Sequence, residues 1–94
     1  MFDCLQFKRV MERSGLTKVE LSELYGVSRQ TLYAWLDHVP NQHTLAERAE
    51  KYTAGLFAAI SRGLLPFPPS LSKEQRKERL RKMARHLHSL TTPQ

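Results

Sequence analysis

Lys18-Val19-Glu20-Leu21-Ser22-Glu23-Leu24-Tyr25-Gly26-Val27-Ser28-Arg29-Gln30-Thr31-Leu32-Tyr33-Ala34-Trp35-Leu36 is the stretch on which the fold turns. Thr17, just ahead of it, stands three residues before Glu20, the spacing of a capping box, in which each side chain satisfies the other residue's free backbone N–H. Val19, Leu21 and Leu24 then give helical spacing until Gly26, which can enter the left-handed region and stop the helix after about two turns. Ser28 caps a second short helix, about 29–37, whose Leu32, Trp35 and Leu36 are spaced i, i+3, i+4 on one side, and Pro40 closes it. Helices this short are marginal in water, so both must be held by packing against neighbours. Leu21 and Tyr25 are expected to face the core, with Ser22 small where the two helices cross. Val27, Leu32 and Trp35 would anchor the second helix from behind, which leaves Arg29, Gln30, Tyr33, Ala34 and Asp37 on the opposite side.

The same punctuation recurs on either side. Asp3 with Gln6 suggests a capping-box-like start for a helix of about 4–14, with Leu5, Val10 and Met11, and Phe2 and Phe7 nearby, as its apolar surface and Gly15 as its stop. Thr44 with Glu47 predicts a further box. The run Leu45, Ala49, Tyr52, Leu56, Phe57, Ile60 keeps helical phase to about Arg62, with Gly63 as the stop. Gly55 inside this helix costs about 1 kcal/mol relative to Ala, so it either admits a close neighbour or weakens the middle. Leu64-Leu65-Pro66-Phe67-Pro68-Pro69 reads as an extended connector lying on the core, because proline disfavours helix at its own position and just before it. Ser72 with Gln75 opens a last helix of about 73–89, rich in Lys, Arg and Glu, with Leu80, Met83, Leu87 and Leu90 in a narrow stripe. No segment alternates apolar and polar residues over a strand's length. The expectation is an all-α small helical bundle, with a head at 1–65, a Pro-rich connector at 66–72 and a basic amphipathic helix and tail at 73–94.

The chain has 94 residues and a net charge of +6. That is one small domain, too short for a second catalytic lobe. Residues 1–72 hold 8 Lys/Arg and 7 Asp/Glu, whereas residues 73–94 hold 7 and 2. The excess sits in the tail and points to an acidic partner. No apolar run approaches the roughly 18 residues of a membrane span, and the first residues lack a secretory signal. With a single cysteine, Cys4, a cytoplasmic location and no membrane partner are expected. His86 and His88 are two apart on a helix, and His38 and His43 have no Cys beside them, so no metal site is expected. No nucleophile elbow, Gly-rich phosphate loop or paired-carboxylate context appears; an enzyme is not expected, nor a cofactor.

Two short helices joined through a glycine, the second opened by a capping serine, suit a DNA reader of the helix-turn-helix type. Residues 5–62 resemble the Cro and phage-repressor helix-turn-helix domain, the lambda-repressor-like fold, through Gly15–Ser22 followed by Gly26–Leu36. The Trp35-Leu36 pair ends the second helix as it does in that family. Ser22 replaces the family's commoner Ala, Lys18 stands where Gln is frequent, and the family's Glu-x-Gly is missing around Leu36–His38. The resemblance implies that Arg29, Gln30 and Tyr33 face base edges, with Ala34 close enough for a thymine methyl. Arg matches guanine O6/N7 and Gln matches adenine N6/N7. Thr17, Lys18, Ser28, Asn41, His43 and Thr44 become candidates for phosphate. Because the head is nearly neutral, Arg76, Lys77 and Arg81 are candidate auxiliary phosphate contacts. Leu80, Met83, Leu87 and Leu90 are candidates for contact with a second copy or another protein, unless that stripe packs on its own domain. The expected function is a transcriptional regulator, a phage or prophage Cro-like repressor binding double-stranded DNA as a homodimer. The alternative is an antitoxin- or antirepressor-like adaptor whose C-terminal helix docks on a protein partner.

Overall fold

A computed structural model describes residues 2–91, with the backbone alone for Leu90 and Thr91. Leu90, the last residue of the apolar stripe, therefore lies outside the residues whose side chains are described. Five helices and no strand are present among the described residues: α1 Cys4–Arg13, α2 Lys18–Tyr25, α3 Arg29–Ala34, α4 His43–Ser61 and α5 Lys73–Thr91. The radius of gyration, 12.7 Å, matches the roughly 12–13 Å of a folded chain this long. No helix among the described residues is long and apolar enough to cross a membrane.

Local chemistry sets most of the helix ends. Asp3 Oδ1 accepts from the N–H groups of Leu5 (2.9 Å) and Gln6 (3.3 Å) and starts α1. At α2 the box is complete: Glu20 N–H donates to Thr17 Oγ1 at 3.1 Å and Thr17 N–H to Glu20 Oε1 at 2.8 Å. Gly26 at φ 69° ends that helix. Ser28 caps α3 through the Thr31 N–H at 3.1 Å. Ser72 and Gln75 form the reciprocal pair that opens α5, at 3.2 and 3.0 Å.

Three expectations about the helices need correction. Helix α3 stops at Ala34 rather than about Asp37, because the Leu36 and Asp37 N–H groups bond three residues back and tighten the chain ahead of Pro40. The Thr44–Glu47 box does not form. Helix α4 begins earlier, with Gln42 at a cap position that has no side-chain hydrogen bond, so Thr44 already lies inside the first turn and Glu47 pairs instead with His43 at 3.1 Å. Leu5, expected on the apolar surface of α1, is 58% exposed because it falls on the outer side of the helix; Val19, in α2 as its spacing predicts, is also exposed.

The core has an aromatic centre. Trp35 lies 5.8, 5.7 and 5.7 Å, centroid to centroid, from Phe2, Phe7 and Tyr25 in edge-on arrangements, and Tyr25 continues to Tyr52 of α4 at 5.7 Å. Thr53, buried on α4, donates its hydroxyl to the Ala49 carbonyl at 2.7 Å, so the Tyr25 hydroxyl must donate to Thr53 Oγ1 at 2.8 Å. Burial pushes the Tyr25 phenol up. The connector joins the same core through Leu65 and Phe67, as does α5 through Leu87, which is 1% exposed. Leu80, Met83 and Ala84 pack against it half-buried, and α5 contacts both α4 and α2. The division between head and tail is thus one of charge; in packing the two share a core.

A polar staple completes that attachment. Arg76 Nε and Nη2 donate to Glu20 Oε2 and Oε1 at 2.6 and 2.8 Å, Nη2 also reaches the Gly15 carbonyl at 2.9 Å, and the guanidinium lies 5.4 Å from the Phe67 ring centre. These hydrogen bonds, above all others, hold the Glu20 carboxyl below its ordinary 4.5, against the opposing effect of burial. Arg76 is consequently committed inside the protein, which corrects its assignment as an auxiliary phosphate contact.

Gly15 is fixed by two constraints at once. Its φ is +70°, and a Cβ built there would stand 2.5 Å from Pro66 Cβ, whereas Gly63 at φ +78° has open space around it. Gly63→Ala should cost about 1–2 kcal/mol for the left-handed backbone alone. Gly15→Ala should cost about 1–3 kcal/mol more, for the overlap with the connector; urea midpoints at equal slope measure both. Arg76→Ala should lower stability at neutral pH by about 1–3 kcal/mol, the range for hydrogen bonds to a mostly covered charged group. Since the folded state lowers the Glu20 pKa, this contribution is fully present above pH 4.5 and disappears as pH falls below it. Unfolding of wild type and Arg76→Ala should therefore converge on acidification.

Candidate nucleic-acid interface

Helix α3 is short, and its inner side is spent on packing: Leu32 and Trp35 are 1% and 3% exposed, with Val27 half-buried ahead of them. Arg29, Gln30, Tyr33, Ala34 and Asp37 are all exposed, as the helical phase requires. The outer side therefore offers a guanidinium, a carboxamide, a phenol and a methyl group from α3, with the Asp37 carboxylate just beyond its end.

The two flanks of α3 differ. On one, Gln30 and Ala34 share an open cleft of about 740 Å³ with His38, Asn41 and Gln42, in the segment leading into α4. On the other, Tyr33 shares a smaller cleft with Thr17 and Lys18 at the start of α2, and Lys18 Nζ lies 4.8 Å from the Tyr33 ring centre. The structure thus brings Asn41, Lys18 and Thr17 beside the outward face of α3. The aromatic ring holds Lys18 close to that face by a cation–π contact, worth about 0.5–1 kcal/mol at an exposed site.

The remaining phosphate candidates are more constrained. Thr17 and Ser28 already use their hydroxyl oxygens as caps, with Ser28 Oγ also 2.9 Å from Thr31 Oγ1. The caps take the N–H groups of Glu20 and Thr31, which leaves those of Lys18 and Val19 in α2 and of Arg29 and Gln30 in α3 outside the helical bonding, at ends where the helix dipole favours an anion. His43 is exposed but paired with Glu47, and Thr44 is exposed on the first turn of α4. Lys77 and Arg81 line a cleft against α2 that also contains Glu20 and Glu23, and Arg81 pairs with Glu78 at 3.2 Å, so carboxylates partly offset both cations.

One positioning residue and the lining of one cleft are not apparent from the sequence. Arg48 donates to the Tyr25 carbonyl at 3.2 Å and ties α4 to the turn before α3. Gln42 and His38 line the larger cleft. No local motif marks any of them, because each depends on how α4 is set against α3. Among the described residues no group of three or more His, Cys, Asp or Glu side chains is arranged to hold a metal ion. Comparison with protein-family models, with curated proteins and with solved structures yields no match.

Tyr25→Phe removes one buried hydrogen bond while Thr53 keeps its acceptor on Ala49. It should cost about 0.5–1.5 kcal/mol in chemical denaturation, and the chemical shifts of Arg29 and Gln30 should stay in place because Leu32 and Trp35 seat α3 independently.

Proposed function

We propose that this chain is a sequence-specific DNA-binding transcriptional regulator in which α2, the Gly26 turn and α3 act as a helix-turn-helix. The observation that carries this reading is the six-residue α3, seated by Leu32 and Trp35, with Arg29, Gln30, Tyr33 and Ala34 all turned outward. In this reading α3 enters the major groove. Arg29 and Gln30 form bidentate contacts with purine edges, and Ala34 meets a thymine methyl. Lys18 and the α2 N-terminus meet the phosphates on one side, and Asn41 with the α4 N-terminus meets them on the other. The protein acts as a repressor of the phage type, and as a homodimer on a two-fold operator with half-sites about one helical turn apart.

Electrostatics shapes the same reading. With a head that carries 8 Lys/Arg and 7 Asp/Glu, few ion pairs are available to the backbone, and α5 supplies the additional field. Arg76 is unavailable for this, so Lys77 and Arg81 are the α5 cations assigned to it.

Selection from a random-sequence duplex pool should recover a preferred site. Arg29→Ala and Gln30→Ala should each lose about 1–3 kcal/mol on that site and relax the preference at one position. Lys77→Gln with Arg81→Gln should instead weaken binding evenly across sequences and reduce the salt slope by about 1 for each phosphate no longer neutralised. Equal binding to all sequences by wild type and both α3 variants would sink the reading.

A further inference from the structure

Between the C-terminal half of α4 and α5 lies a second cleft, of about 610 Å³, on a part of the surface remote in sequence from the α3 face. Its floor is Gly55, Ala58 and Ala59, three small residues on α4, and its apolar walls are Leu64, Phe67 and Met83. Leu64 is 58% exposed although its neighbour Leu65 is buried, so apolar surface remains open at the mouth. The rim is basic: Arg62 just past the end of α4 faces Arg79, Lys82 and His86 of α5, and among the described residues no Asp or Glu lines the cleft.

The spacing of the rim distinguishes between occupants. Arg79, Lys82 and His86 recur at i, i+3, i+7, one face of α5, and extend for about 10 Å at 1.5 Å per residue. A ligand with a single anionic head would engage one end of that row and leave the rest unanswered. Bare nucleic acid backbone would leave the apolar floor and Leu64 wet. A second copy would bring its own α5, with 7 Lys/Arg against 2 Asp/Glu over residues 73–94, against a rim of the same sign. An amphipathic helix with carboxylates along its flank satisfies all three features. Its apolar residues fill the floor, close approach is allowed by Gly55 and Ala58, and its acidic row meets the basic row.

We propose that the α4–α5 cleft is a docking site for an acidic amphipathic helix of a partner protein. The site is independent of the DNA-reading face and goes beyond it, since it gives the protein a surface through which a second macromolecule can engage it. Gly55 then has a role as part of the smooth floor on which the partner helix lies.

The test uses the full chain and two synthetic helical peptides of about four turns, with Leu along one face and either Glu or Lys along its flanks. By fluorescence anisotropy the Glu peptide should bind about 10-fold more tightly than the Lys peptide. Amide shift changes should centre on Ala58, Ala59 and Met83. Ala58→Trp, at an exposed position, should fill the cleft and abolish binding. Arg79→Glu combined with Lys82→Glu, both exposed and outside the core, should reverse the preference in favour of the Lys peptide, a gain that misfolding cannot mimic. Equal binding of the two peptides, shift changes centred elsewhere, or a double variant that keeps the original preference would overturn the proposal. So would displacement of the Glu peptide by equimolar dodecanoate, which would mark a single-anion site. Self-association that disappears in Ala58→Trp would assign the cleft to a second copy, and loss of duplex binding in the Arg79/Lys82 double variant would assign its rim to DNA; either result overturns it.

Discussion

Trp35 is where four segments of the chain meet. Its ring lies edge-on to Phe2 ahead of α1, Phe7 within α1 and Tyr25 at the end of α2, and Tyr25 passes the contact on to Tyr52 in α4. Edge-to-face pairs of this kind contribute about 0.5–1.5 kcal/mol each beyond the area they bury. The dependence is strongest for α2 and α3, with eight and six residues, well below the roughly 12–15 that an isolated helix needs. Neither would persist without this cluster, and everything α3 shows to solvent depends on it.

The charge of the last helix is less uniform in use than in sequence. Arg76 works inside the protein, bidentate to Glu20 and set against Phe67. Lys77 and Arg81 sit near carboxylates of α2 and α5, while Arg79 and Lys82 border a cleft that no Asp or Glu among the described residues lines. A single +5 segment therefore contains a staple, a partly neutralised face and an open basic rim. Helical phase decides which residue does which.

What is legible in the sequence is local. The caps at Thr17, Ser28 and Ser72, the left-handed glycines and the connector that puts Leu65 and Phe67 on the core depend on residues a few positions apart, and each appears where its spacing places it. The outward set on α3 is legible for the same reason, since Leu32 and Trp35 set the phase of the rest. Leu5 departs from expectation because apolar character alone does not say which side of a helix has a neighbour. Thr44 departs from it because a box can be displaced when the helix starts earlier, as His43 and Glu47 show. The Arg76–Glu20 pair spans 56 positions and leaves no periodic trace. The clefts flanking α3 arise from tertiary placement of α4 and lie beyond any local signal.

Glu20 answers to two partners at once. Its Oε1 accepts from the Thr17 N–H that starts α2 and from Arg76, and its Oε2 accepts from Arg76 again. The N-terminus of the helix before the turn and the attachment of α5 therefore share one carboxylate. Thermodynamic reciprocity applies to such a shared node: whatever shifts α5 alters the free energy of α2, and whatever clamps α2 alters that of α5 by the same amount. The start of α2 and the seating of α5 on the core are in this sense linked, with Glu20 as the coupling between them.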